Sequence, residues 1–387
     1  MAVTLQQILN TAYPAYAATH RQPRHVHRAV SALRRCRTGA LGHHAVTCPA
    51  GHVVDVRPNS CRHRSCPQCG GRKAAQWLDA WQGRLLPTTH FQVVFTLPPI
   101  LHTLWRWNRR LFTRALFDTA RAALLELLAE DRHLGARPGL VVALHTWGSA
   151  LPLHLHLHAL VTGGGMAPDG RWRPSRAHFL LWAPILRTVF QGILLARLRE
   201  LFEQDALVLP PPLRLPDGPR LLDDAAQCTW HVRIEPPYTH GRGLVMYLAR
   251  YLKGGPIKNH RLVTFNGTDV CFRYRDYRRT GRPKWRSMTV PVAEFLHRWV
   301  QHVPVPGLHM VRAYGLYATH ERPALARCRV QLGPRWCQPP PAAPAPARER
   351  CPQCGAPLVT SALARPRAPQ PHEKPTGPGP PRIGMSN

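Results

Sequence analysis

Apolar and imidazole side chains take turns along "LPLHLHLHALVTGGG", residues 151 to 165. Successive side chains of a β-strand point to opposite faces. His154, His156 and His158 therefore share one face of a strand, and Leu153, Leu155 and Leu157 pack beneath. The triple glycine that follows reads as the turn after this strand. "GLVVALHTWG" reads as the strand before it, close enough in the chain to pair with it as a hairpin. "THFQVVFTLPP" and "CTWHVRIEP" read as two further strands, and "RLVTFNGTDVCFRYRDY" as a hairpin turning at Asn266-Gly267.

Apolar positions at three- and four-residue spacing predict helices instead over Leu101 to Glu130, over residues 176 to 204 and in "VPVAEFLHRWVQH". Residues 1 to about 35 form a helical lead-in ending in the basic run "HRAVSALRRCR". "PLRLPDGPRL" reads as a loop. "GRGLVMYLARYLKGG" reads as a short helix that stops at Gly254 and Gly255. From about Gln338 a Pro/Ala/Arg-rich composition predicts a disordered tail, interrupted by "CPQCG" at 351 to 355. No repeat of fixed period is present, although "CPQCG" occurs twice.

Charge narrows the partners. Lys and Arg outnumber Asp and Glu 52 to 20, a formal charge of +32 with a pI near 11.2. A compact chain with this excess repels itself unless a polyanion neutralises it, so nucleic acid is the expected partner. An anionic membrane competes for that role, but no apolar run approaches the roughly 20 residues of a membrane span. The N-terminus lacks a signal-peptide pattern. The expectation is a cytoplasmic, nucleoid-associated protein, in which the 11 cysteines serve as metal ligands and not as disulfides.

"SCPQCGG" sets Cys66 and Cys69 at the spacing of a zinc knuckle. The remaining ligands of a closed site come from Cys48, His52, Cys61 or Cys36. The first choice is Cys48, Cys61, Cys66 and Cys69, with His52 replacing one of them. Arg57, Arg62, Arg64 and Arg72 flank this module and offer a DNA-binding surface. The second "CPQCG" has Cys328 and Cys337 nearest in sequence as partners for a second zinc. Buried free cysteines are the plainer alternative, but they rarely fall at ligand spacing.

In "VMYLARYLKGG", Tyr247 and Tyr251 lie four residues apart and share a helix face. Two hydroxyl nucleophiles beside a histidine-held Mg²⁺ or Mn²⁺ suit phosphodiester transfer: the ion neutralises growing charge, and a tyrosine holds the cut strand as an ester. Lys253 or Lys258 stands ready to hold the scissile phosphate. Trp147, Trp172 and Tyr274 are candidates to stack unpaired bases. The plainer reading of the tyrosines is a core aromatic stripe, and that of the histidines an exposed strand in a chain with 23 of them.

"SCRHRSCPQCGGRKAAQWL", "HFQVVFTLP", "LHTWGSALPLHLHLHALVTGGG", "YLARYL" and "VRAYGLYA" together resemble the HUH-superfamily transposases with two catalytic tyrosines, specifically the insertion-sequence 91 family, from about Cys36 to about Arg322. The resemblance implies an α+β fold, with an HUH core of antiparallel sheet and flanking helices, an N-terminal zinc-binding module and the tail. It divides the chain into 1–85 (lead-in and zinc module), 86–325 (catalytic domain) and 326–387 (tail). It implies that His156-Leu157-His158 is the metal-binding pair on a central strand, with His154 either an additional ligand or a group that supports the ligands, and that Tyr247 and Tyr251 are the nucleophiles. Such proteins cleave single-stranded or hairpin DNA at element ends and move it by a rolling-circle-like route. The chain departs from the family in "CPAGH", where Gly51 replaces a cysteine and His52 or Cys61 completes the zinc set. The third ligand beside the histidine pair is open between Glu235, His145 and His231. A plasmid replication initiator or relaxase shares this chemistry, but no G-x-x-x-x-G-K-[ST] P-loop for a helicase appears. A zinc-dependent DNA-binding protein without catalysis is the alternative from another class.

Overall fold

A computed structural model describes residues 2–214, 217–239, 241–243, 245–246, 248, 255–276, 284–333 and 350–362. They form two compact units, Met1–Cys36 with Cys61–Ala347, and Arg37–Ser60 with Arg348–Asn387. The fold is α+β with antiparallel sheets.

The larger unit is built on one sheet. Its strands are β3 (His90–Thr96), β4 (Arg137–Trp147), β5 (Leu153–Met166), β7 (His231–Ile234) and β11 (Val311–Gly315), in the order β11-β4-β5-β3-β7, and β6 (Trp172–Pro174) pairs with the far end of β5. The hairpin of β4 and β5 forms as the alternation predicts. Leu155 and Leu157 are fully buried on one face with Phe91, Val93 and Phe95 of β3 and Leu140, Val142 and Leu144 of β4. Helices α4 (Ile100–Trp107), α5 (Arg109–Ala129), α6 (Ala183–Glu203) and α7 (Asp217–Gln227) cover this face. Phe190 of α6 meets Phe95 at 4.4 Å between ring centres, and burying one such side chain stabilises the fold by about 1.5–3 kcal/mol.

Three expectations change. The helix read over Leu101 to Glu130 is two helices, because Asn108 leaves helical geometry (φ −121°, ψ 37°). Its side-chain amide donates to the carbonyls of Leu104 and Val208 and accepts the Val208 N–H at 2.8 Å. The loop read in "PLRLPDGPRL" ends early: Asp217 stands in the first turn of α7, where a carboxylate opposes the positive end of the helix dipole. Gly163, Gly164 and Gly165 are not a turn but lie within β5. A Cβ on Gly163 would meet the Thr89 hydroxyl at 2.1 Å, and one on Gly165 the Arg137 backbone at 2.6 Å. The glycines let neighbouring chain pass close against the strand.

A second sheet, β8 (Leu262–Phe265), β9 (Asp269–Asp276) and β10 (Lys284–Pro291), turns at Gly267 (φ +102°) as Asn266-Gly267 predicts. It shares a core with α1 (Leu5–Thr19), α2 (Arg24–Arg34) and α8 (Val292–Val300). In the smaller unit, β1 (His43–Thr47) pairs with β2 (Val53–Pro58) on one side and with β12 (Val359–Ala362) on the other. The "CPQCG" that interrupts the Pro-rich segment is thus part of a folded sheet unit.

Candidate functional site: a histidine trio and a cysteine cluster

The face of the central sheet opposite α4–α7 carries the histidines. Cross-strand register sets them in rows: His145 of β4 opposite His156 of β5, then Thr96 of β3, then His231 of β7. The next row is Ala143, His158, Val94 and Arg233. Directly opposed residues lie about 4.5–5.5 Å apart, and a diagonal neighbour remains within reach of a long ring. His145, His156 and His158 accordingly offer nitrogens all within 4.8 Å of one another. Their ring centres are 4.4 Å apart for His145 and His158, and 5.2 Å for His145 and His156.

His145 and His158 are buried, 1% and 5% exposed, and His156 is more open. Burial holds all three imidazolium forms down, and each like-charged neighbour adds to the effect; for His156 the value falls to about 4. Neutral imidazoles with lone pairs converging on one point are the donor set a divalent cation needs. The Nδ1–H of His156 donates to the His154 carbonyl at 3.0 Å, which directs its Nε2 lone pair outward. Gln92 of β3 meets His158 Nδ1 at 2.7 Å. Groups of this kind orient metal-binding histidines.

Of the three candidates for the third position, the structure brings His145 to the pair. His231 is two strands from His156 along the row, and Glu235 is engaged by Arg233 at 2.8 Å. His154 stands outside the trio, its ring 4.8 Å from His156 and 6.3 Å from His102. His231, Arg233 and Glu235 instead line a cavity of about 510 Å³ with Val94 and Thr96.

Tyr247, Tyr251 and Lys253 lie outside the described residues. The helical residues Val245 and Leu248 beside them are buried with Val141, Ala143 and Leu160. Those three continue the histidine-bearing face of the sheet, Val141 and Ala143 along β4 from His145 and Leu160 along β5 from His158. Lys258 lies close enough to Cys66 to feel its charge, and burial lowers its own pKa. Gly255 (φ +69°) approaches the Ser65 carbonyl so closely that a Cβ would meet it at 2.6 Å. Gly255 therefore packs on the knuckle.

The cysteines regroup. Cys36, Cys61, Cys66 and Cys69 form one cluster, while Cys48 and His52 belong to another with Cys351 and Cys354. The first choice of ligands is corrected at one position: Cys36, at the end of α2, takes the place given to Cys48, and its sulfur accepts the Cys61 N–H at 3.5 Å. The Sγ atoms of Cys61 and Cys69 are 3.6 Å apart, as are those of Cys36 and Cys66. Tetrahedral zinc with Zn–S near 2.3 Å sets its sulfurs about 3.8 Å apart, so these four fit the ion. Hydrogen bonds to Cys61 and then Cys66 draw the Cys69 thiol well down, and Cys69 also caps α3 (Gly70–Gln82), whose N-terminus favours a thiolate. Cys328, considered for a second zinc, is buried in the core beside Tyr317 instead; Cys337 lies outside the described residues.

Among the basic candidates, Arg62 and Arg72 are exposed. Arg64 donates to the Leu308 carbonyl at 2.9 Å, and Arg57 pairs with Asp55. The stacking candidates are occupied. Trp147 lies against His145 and His302, Trp172 covers Gly164 and Tyr274 packs on a core. Sequence reading passed over Trp285, 44% exposed on β10, with Arg273 and Arg275 of β9 over its ring at 5.5 and 5.2 Å. The alternation of "FRYRD" against "KWRS" was the available signal.

Two family models together cover most of the chain and define its class, a transposase with a zinc-binding domain. Residues 139–324 match the family model described as "Putative transposase", and residues 8–97 the one described as "Transposase zinc-binding domain". The chain is 36% identical to "Putative transposase y4qJ" of Sinorhizobium fredii over 326 residues, 82% of this chain and 81% of that protein. It is 33% identical to "Transposase for insertion sequence element IS801" of Pseudomonas savastanoi pv. phaseolicola over 300 residues, 75% of this chain and 69% of that protein. No solved structure matches the chain. The chain belongs to the insertion-sequence 91 family of transposases. Among the described residues no helix is long and apolar enough to cross a membrane.

Proposed function

We propose that this transposase cleaves and rejoins single-stranded DNA at the ends of its element by tyrosine transesterification. The observation that carries the reading is the convergence of His145, His156 and His158 on the sheet face against which Val245 and Leu248 pack. Those two residues flank Tyr247 in the chain, and Leu248 lies between the two tyrosines.

His156 and His158, with His145, would hold Mg²⁺ or Mn²⁺, which when bound supplies charge neutralisation at the scissile phosphate. Tyr247 or Tyr251 attacks the phosphorus through its phenolic oxygen and loses its proton. The P–O3′ bond breaks, and the 3′-hydroxyl departs protonated. The 5′ end stays on the protein as a phosphotyrosine ester. Attack by a 3′-hydroxyl on that ester later restores the DNA and frees the tyrosine. Two nucleophiles let one strand remain attached while the second is cut, which suits rolling-circle-like movement. Cys36, Cys61, Cys66 and Cys69 would hold a structural zinc. Arg62, Arg72 and the Arg273–Trp285–Arg275 surface supply phosphate and stacking contacts to an unpaired or hairpin end.

The test is a cleavage assay on labelled single-stranded element ends with Mg²⁺ or Mn²⁺, comparing the unaltered chain with Tyr247→Phe, Tyr251→Phe and the double variant. A protein–DNA adduct at the 5′ end that disappears in the double variant is the expected result. Binding without any adduct, on authentic ends and with either metal, would leave a DNA-binding protein without this chemistry.

A further inference from the structure

The smaller unit contains a second group of ligands that the transposition chemistry does not use. Cys48 and His52 lie at the turn between β1 and β2, in "CPAGH". Cys351 and Cys354 come from the second "CPQCG". The four ligand atoms are all within 4.8 Å of one another. Cys48 Sγ lies 3.4 Å from His52 Nδ1 and 3.5 Å from Cys354 Sγ, and Cys351 Sγ lies 3.7 Å from His52 Nδ1.

Each half is shaped as a knuckle. The Gly51 N–H donates to the Cys48 carbonyl at 2.9 Å, with Gly51 at φ +87°. The Gly355 N–H donates to the Cys351 carbonyl at 2.8 Å, with Gly355 at φ +70°. The Gly70 N–H makes the matching bond to the Cys66 carbonyl, at 3.2 Å, in the first "CPQCG". Independently of the sulfurs, β12 adds to β1 in an unbroken antiparallel register from His44↔Ala362 to Thr47↔Val359. Backbone pairing thus brings the two half-sites together across some three hundred residues of chain.

We propose that Cys48, His52, Cys351 and Cys354 form a second structural zinc site, of Cys₃His type, that fastens the C-terminal "CPQCG" segment to the β1–β2 hairpin. Three thiolates and one imidazole within tetrahedral reach select zinc over harder divalent ions. The departure at Gly51 is then explained: the cysteine missing from the first knuckle is replaced by His52, and the set is completed from the other end of the chain. The site needs no element of the nuclease reading and stands or falls separately from it.

The experiment counts metal in the full-length chain carrying His156→Ala and His158→Ala, so that the histidine trio contributes nothing. Two zinc equivalents per chain are expected, falling to one in the further Cys351→Ser/Cys354→Ser variant. A single equivalent before that change, or two after it, overturns the proposal. His52→Cys changes one ligand atom and tests the site without emptying it. After cobalt substitution it should keep two equivalents and move the thiolate-to-cobalt absorption of one site toward that of a four-cysteine site. An unchanged spectrum overturns the assignment however the serine variant folds.

Discussion

Gln92 on β3 stands 2.7 Å from Nδ1 of His158 on β5, one row along the sheet from the register partner of that histidine. The other end of its amide accepts from the Tyr238 hydroxyl at 3.3 Å. A metal on His158 Nε2 would require a proton on Nδ1; with the Gln92 amide turned over, its oxygen accepts a hydrogen bond from Nδ1–H while the tyrosine oxygen accepts one from the amide nitrogen. Gln92 is therefore a positioning residue for the trio. Gln92→Leu should weaken Mn²⁺ binding about 10–100-fold, measured by calorimetry, and Gln92→Glu should restore most of it.

The identity of the third ligand gives a sharper contrast. His145→Ala removes one of three converging nitrogens and should lower Mn²⁺ affinity by at least about tenfold. His154→Ala, outside the trio, should leave affinity within about twofold. Equal effects of the two changes, in the same titration, would return the third ligand to the candidates at His231 and Glu235.

Trp285 is 44% exposed and carries two guanidinium groups over its ring. Trp285→Ala should cost about 1–3 kcal/mol of single-strand affinity in fluorescence anisotropy, whatever the base sequence. Arg275→Ala should instead lower the slope of log affinity against log salt by about one phosphate contact.

Gly255 lies tightly against the cysteine knuckle. Gly255→Ala forces a left-handed conformation costing about 1–2 kcal/mol and sets a Cβ at 2.6 Å from the Ser65 carbonyl. Thermal unfolding should shift downward, and cleavage should fall further than stability does. Gly170→Ala, at φ +80° with open space around it, is the control that carries strain alone.

His302 is buried between the Thr146 hydroxyl and the Leu151 carbonyl, each at 3.2 Å. Burial and then the nearby Arg109 and Arg106 charges hold its pKa down at about 4. The unfolded chain protonates this imidazole below about pH 6.5, while the folded chain resists until about 4. Its contribution is thus intact above pH 6.5 and is lost as pH falls toward 4, to a limit of about 3 kcal/mol. Urea unfolding between pH 7 and 4 should show a shallower decline for His302→Gln than for the unaltered chain.

Much of the site was legible without coordinates because its parts are local. Period-two alternation put His156 and His158 on one face with Leu155 and Leu157 beneath, and the folded sheet has that arrangement. Ligand spacing likewise singled out Cys66 and Cys69. Asn108 was not legible, since its helix-breaking role depends on Val208, a hundred residues away. The glycines of β5 were misread because closeness to Thr89 and Arg137 has no local signature.

The sequence by itself determined the chemistry available: a basic chain with imidazoles at strand spacing, thiols at knuckle spacing and paired tyrosines, each set by side-chain type and backbone period. Only the tertiary structure decided which of these groups meet. His145 joins the pair because the register of β4 against β5 sets it opposite His156. Cys36 completes the first cluster, and Cys351 and Cys354 join Cys48 and His52 because β12 pairs with β1. Register and pairing between distant segments are chosen by shared burial and backbone hydrogen bonding across the whole fold, and no window of sequence contains both partners.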